Sequence, residues 1–245
     1  MLPIGDQDLP GRGLAWMTGA LIAANVAVFL LLQGAGAETR STFAFTYGYS
    51  AIPLEITNGI DLVRTTGGVP QAPGPSPIYL TLLTSMFMHA GWAHIGGNML
   101  FLWIFGDNVE HRVGPVRFLL FYLVAGVIAS LAQILVDPSS PVPTLGASGA
   151  ISGVLGAYLV LYPVNRVTVW AWFIFTVPAL VVIGIWIVLQ FVNGFGAFAV
   201  SQETSDGVAY LAHIGGFVVG VLVGLFVRAT IPEPSVPRGV LGRWR

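Results

Sequence analysis

Residues 116–136 read VRFLLFYLVAGVIASLAQILV, an apolar run whose one charge, Arg117, sits at its start. About 20 such residues, at 1.5 Å of rise each, cross the roughly 30 Å hydrocarbon core of a bilayer. No water is available there to pair with free amides, so the run must be helical. Working outward, similar runs occupy 13–34, a stretch within 79–106, 146–163, 167–191 and 208–228. Composition agrees: 55% of residues are hydrophobic and 9% charged, against about 25% charged in soluble domains, and the mean hydropathy is +0.81. The expected fold is an all-α integral membrane protein: a bundle of six transmembrane helices with a long first loop, 35–77. The expected organisation is a short N-terminal segment (1–12), one membrane domain (13–228) and a C-terminal tail (229–245).

The net charge of −1 points to no nucleic acid. The absence of cysteine excludes disulfides, iron–sulfur clusters and thiolate metal sites. The N-terminus, with Asp6 and Asp8 before Arg12, does not read as a transit peptide, and the first apolar run is too long for a signal core. All ten basic residues are arginine. With six spans and the N-terminus inside, eight of them (Arg12, Arg112, Arg117, Arg166, Arg228, Arg238, Arg243 and Arg245) fall on the inner side. Only Arg40 and Arg64 fall outside. By the positive-inside rule both termini are expected in the cytoplasm. The expected location is a prokaryotic cytoplasmic membrane.

Polar residues inside spans are costly in lipid and mark function. Under this topology His94 and Asn98 lie in the outer part of the second span, Ser148 opens the fourth, and His213 lies in the outer part of the sixth. Three helices thus place reactive groups at one depth on one side. The fourth span is short and opens with Pro141, Pro143 and Gly146 at its outer end, so irregular backbone should dip below the outer surface there. Such backbone is tolerated only within protein or beside water, and a hydrolase needs that water. The fourth span also carries Gly146, Ala147, Gly149, Ala150, Gly153, Gly156 and Ala157, and the sixth carries Gly216, Gly220 and Gly224 on the face of His213. Small residues at spacings of three and four let helices approach closely. Gly149, Gly216 and Gly220 are therefore expected to pack the two helices together, bringing Ser148 against His213. Serine becomes a useful nucleophile only with a base beside it.

His94 and Asn98 are one turn apart on one face and suit the stabilisation of a developing oxyanion. A metal site is not expected: the His-Glu-x-x-His pattern is missing, and His89, His94 and His213 have no carboxylate nearby. An aspartyl mechanism lacks a second intramembrane acid to pair with Asp107. Asp107, Glu110, His111 and Arg112 read as structural anchors at the inner end of the second span. No acid is placed as a third triad member.

Three segments together carry a resemblance: Gly146-Ala147-Ser148-Gly149, the His94-x-x-x-Asn98 pair following His89-Ala-Gly-Trp-Ala, and Ala212-His213-Ile-Gly-Gly216. They resemble the signature segments of the rhomboid family of intramembrane serine proteases, over about Pro77 to Arg228. The resemblance implies Ser148 as nucleophile and His213 as general base. It also implies an oxyanion hole of His94, Asn98 and the Ser148 amide, a first loop partly in the outer leaflet, and a fifth span and 192–207 loop acting as gate and cap. Two departures stand out. Ser152 occupies the place where well-known members stack a tyrosine on the histidine, and no Trp-Arg pair occurs between 35 and 77. The function so implied is cleavage of single-span membrane proteins within the lipid bilayer, with no cofactor, metal or nucleic acid. The alternatives are an inactive relative that binds membrane clients, and a small-solute transporter. The intact Ser148, His213 and Asn98 argue against the first. The nearly apolar inner halves of the spans argue against the second.

Overall fold

The structure, a computed structural model, describes residues 2–7, 13–37, 39–63, 71–200 and 209–232. It is mostly helical. In chain order the elements are β1 (Leu2–Asp6), α1 (Trp16–Ala27, continued by a wider turn over Val28–Leu32), α2 (Arg40–Tyr49), α3 (Pro53–Asn58) and α4 (Thr81–Thr84). There follow α5 (Trp92–Val113), α6 (Pro115–Val136), α7 (Ser148–Leu161), β2 (Arg166–Ala171), β3 (Phe173–Pro178), α8 (Ala179–Val200) and α9 (Tyr210–Thr230). Among the described residues, α6 and α9 are long and apolar enough to cross a membrane.

The core is built around α7. Every residue from Gly149 to Tyr158 is buried. Around it, α6 and α9 carry large apolar side chains on their outer faces: Leu120, Val124, Leu131 and Leu135 on the former, Val218, Leu222, Leu225 and Phe226 on the latter, all exposed. Helices of a soluble protein turn polar residues outward. An apolar outer face over two neighbouring helices fits a surface that faces lipid or a partner rather than water.

The expectation of an all-α protein is corrected by a three-stranded antiparallel sheet in the order β1-β2-β3. The 167–191 run is not one helix. Its first part is the β2–β3 hairpin, paired from Arg166↔Pro178 to Ala171↔Phe173, and the helix starts at Ala179. Residues 166–178 are rich in valine, threonine, phenylalanine and tryptophan, which favour extended chain, and the first strand buries Val167 and Val169 alternately. Because α8 runs to Val200, the 192–207 segment begins as helix, and 201–208 lie outside the described residues. The 35–77 loop is also not plain loop, since α2 and α3 lie within it. Its Thr39 caps α2 in a reciprocal box with Thr42. Ala51 pairs with Thr144 as an isolated bridge, which ties this region to the segment leading into α7. Glu55 is fully buried, accepting from the Leu62 amide at 2.8 Å and the Gln71 side chain at 2.7 Å. Burial raises its carboxyl above the ordinary range. Within the 79–106 stretch the chain first makes the short turns of Ile78–Phe87, and α5 then runs from Trp92 to Val113.

Glu110 near the end of α5 has a specific structural task. The first amides of a helix lack intrahelical partners, and α1 has no capping side chain of its own. Glu110 supplies the acceptor, taking the Met17 amide at 3.0 Å, the Thr18 amide at 2.7 Å and the Thr18 hydroxyl at 2.7 Å. Its negative charge also suits the positive end of the α1 dipole. Hydrogen bonds to a charged acceptor contribute about 1.5–3 kcal/mol each. Glu110→Ala should therefore lower the melting temperature by several degrees, whereas Glu110→Gln should cost less because one acceptor remains. Equal stability of all three proteins would contradict this role. Two residues earlier, Asn108 donates to Asp6 at 2.8 Å, and the Tyr158 hydroxyl donates to the same carboxylate. These bonds pin β1 to α5 and α7.

Candidate active site

α7 and α9 approach at backbone distance. A Cβ on Gly216 would lie 2.0 Å from the Gly149 carbonyl oxygen, and one on Gly220 would lie 1.9 Å from that of Gly153. Gly156 is similarly closed by the Phe217 oxygen at 2.3 Å. Gly149 itself faces another neighbour: its Cβ would meet Ala129 of α6 at 2.7 Å. The three glycines singled out from sequence thus lie in tight packing, with Gly149 wedged between α6 and α9.

This approach sets the chemistry. Ser148 is the first residue of α7, and His213 lies one turn into α9. The Ser148 hydroxyl and His213 Nε2 are 2.7 Å apart. His213 is buried, at 9% exposure. Its other ring nitrogen, Nδ1, is 2.7 Å from the Gln190 side-chain oxygen, and the Trp186 ring lies 5.7 Å away, tilted by 41°. Ser152 takes no part in holding the ring, because its hydroxyl donates to the Ser148 carbonyl at 2.6 Å.

His94 enters the same place from α5. Gly146 adopts φ +120°, open to glycine but rarely to other residues. A Cβ there would lie 2.8 Å from His94 Nε2 and 3.7 Å from the Ser148 hydroxyl oxygen. Both side chains therefore flank one small space. The His94 ring is held by the Ala90 amide donating to Nδ1 at 3.3 Å and by the His89 ring at 5.1 Å. Asn98, one turn along, is buried at 8% exposure, and its side-chain nitrogen has no partner among the described residues. A buried donor without an acceptor is rare in stable proteins. A cavity beside Ser148 is lined by Ser85, Ser130, Thr144, Gly146 and Ala212 among others. A larger cavity of about 400 Å³ lies at the opposite end of α7, between Val113, Arg117, Leu161 and Ile231. It holds none of the reactive groups named above. No cluster able to hold a metal occurs among the described residues.

The rhomboid domain family model matches residues 77–230, which span all of these groups. The chain belongs to the rhomboid family. It is 42% identical over 95% of its length to rhomboid protease GluP of Bacillus subtilis, and covers 38% of that protein. It is 29% identical over 67% of its length to rhomboid protein 1, mitochondrial, of Saccharomyces cerevisiae, covering 47% of it. A chloroplastic rhomboid-like protein of Arabidopsis thaliana is 29% identical over 67% of the chain, with 58% of that protein covered. The chain thus spans roughly half the length of these relatives. Rhomboids are embedded in membranes, which agrees with the apolar outer faces of α6 and α9.

Gln190 and Trp186 were not singled out from this rhomboid's sequence. A signal existed: Gln190 is one of two amide side chains, with Asn193, in a helix that is otherwise apolar, and polar residues in such a setting mark function.

Proposed function

We propose that this rhomboid is an intramembrane serine endopeptidase that cleaves single-span membrane proteins within or near their membrane segment. The observation that carries this reading is the 2.7 Å contact between the Ser148 hydroxyl and His213 Nε2, at the start of a buried helix. Ser148 Oγ attacks the scissile carbonyl as its proton passes to His213 Nε2. The negative charge that develops on the carbonyl oxygen meets the unpaired amides and positive dipole of the α7 N-terminus, with the Asn98 amide and the His94 ring as further donors. Collapse of this intermediate expels the amine, which takes the proton from His213 and leaves Ser148 acylated. Water, deprotonated by the same imidazole, then releases the acid product.

The reading includes a six-span topology with both termini in the cytoplasm, supported by the eight-to-two arginine distribution, and places the site toward the outer face. Arg12, Arg64, Arg238, Arg243 and Arg245 lie outside the described residues. The reaction needs no cofactor.

The test is reconstitution of the purified protein in liposomes with a single-span substrate tagged at both ends. Two fragments should appear, their junction within or beside the apolar segment, and none should form with Ser148→Ala. A substrate that is bound but never cut would favour an inactive client-binding protein instead.

The oxyanion assignment has its own consequence. Losing one preorganised donor typically costs about 10²–10³ in turnover. Asn98→Ala should lower kcat by that factor with KM little changed. If Asn98 only ties helices together, the variant will melt earlier but turn over normally in the folded fraction. Measuring kcat, KM and Tm on the same preparation separates the two.

A further inference from the structure

His213 needs more than proximity to act as a base. A neutral imidazole carries one proton, and only the tautomer with that proton on Nδ1 leaves Nε2 free to accept from Ser148. The partner of Nδ1 decides which tautomer persists. That partner is the Gln190 side-chain oxygen, at 2.7 Å and buried. A carboxamide oxygen only accepts, so Nδ1 must donate. The Gln190 amide is itself oriented, because its nitrogen donates to the Trp186 carbonyl at 3.4 Å one turn back on α8. This leaves the oxygen directed at the ring. Trp186 also lays its ring against the imidazole, 5.7 Å between centroids.

The geometry points to Gln190 as the positioning residue that holds His213 in its base-competent tautomer, with Trp186 bracing the ring from the same helix. This rests on the protease reading of Ser148 and His213 and deepens it. Ser152 leaves the α7 side of the ring without an aromatic support, and α8 supplies both contacts in its place. The acceptor is neutral, so the ring is oriented without a carboxylate being buried beside it, which would be costly in this setting. Because both contacts come from α8, the competence of His213 depends on where that helix sits.

The test uses the full chain in liposomes with two variants. Gln190→Met keeps the length and apolar bulk but removes the acceptor, and Gln190→Glu keeps an acceptor in the same place. Loss of the correct tautomer in a serine triad costs about 10⁴-fold in turnover. For a neutral partner the expected loss in Gln190→Met is about 10²-fold in kcat, with KM within about twofold and melting temperature retained. Gln190→Glu should recover most of the rate. A second readout is independent of activity. The ¹⁵N spectrum of His213 should show the proton on Nδ1 in the unsubstituted protein and a mixture of tautomers in Gln190→Met. Full turnover in Gln190→Met would overturn the role. So would equal damage from both variants accompanied by matching losses of stability, or an Nε2-protonated ring in the unsubstituted protein. Failure of the unsubstituted protein to cleave would sink the protease reading itself. The spectrum would still report whether Gln190 sets the tautomer.

Discussion

Replacing Ser148 by alanine should abolish cleavage, and replacing His213 by alanine should do so almost as completely. Each loss is expected to be about 10⁴-fold or more, because in the proposed mechanism the two side chains, 2.7 Å apart, act as one unit. The double variant should be hardly worse than either single one, since removal of one member already disables the other. Both variants should fold. Ser148 is only half-buried at the start of α7, and its hydroxyl satisfies no group other than His213 among the hydrogen bonds described. For Ser148→Ala an equal melting temperature beside lost turnover is the expected pair of results; His213→Ala should melt earlier, because it empties a buried site and leaves the Gln190 oxygen unpaired. Additive losses in the double variant would show that the residues contribute separately.

The second large effect concerns the α7–α9 contact. Gly220→Leu would place a Cβ 1.9 Å from a backbone oxygen of Gly153, and Gly216→Leu one 2.0 Å from that of Gly149. Neither oxygen belongs to a side chain that could rotate away, so the helices must separate. A shift of about 1 Å at reacting groups can cost on the order of 100-fold in rate. Gly216 lies three residues from His213, and its partner Gly149 adjoins Ser148, so any separation opens the Ser148–His213 contact directly. The expectation is loss of nearly all activity with a large fall in Tm, or failure to fold. Even Gly216→Ala should be severe, because the Cβ alone makes the clash. Gly184 on α8 is the control. A Cβ there meets nothing within 4 Å, and alanine favours helix over glycine by about 1 kcal/mol, so Gly184→Ala should be active and no less stable. Measuring activity and melting for the four glycine variants against unsubstituted protein decides the matter.

These glycines show why much of the site was legible in the sequence. Small residues at helical spacing announce a close approach before any coordinates exist, and each of the two faces carried a reactive residue at its end. The run at 116–136 was equally plain, because its length and apolarity mark a candidate membrane helix, and α6 covers it. The β2–β3 hairpin was not legible by that logic. Most of its residues continue the apolar run that leads into α8, and hydropathy cannot tell β-branched strand from span. Only the enrichment in valine and threonine, and the alternation that buries Val167 and Val169, distinguish them. What holds His213 was hidden for a different reason. Gln190 is remote in sequence from both Ser148 and His213, and its role depends on the rotation of α8, which an almost uniformly apolar sequence does not fix. The capping of α1 by Glu110 was hidden likewise, since the residues that meet are about 90 positions apart.

The central claim is that Ser148 is a nucleophile activated by His213. Its most direct test is the intact mass and peptide map of the reconstituted protein after exposure to a fluorophosphonate, which reacts covalently only with an activated serine. One adduct per chain, located on Ser148 and lost in His213→Ala, is the predicted result. An adduct on another serine, no adduct at all, or unimpaired labelling of Ser148 in His213→Ala would contradict it.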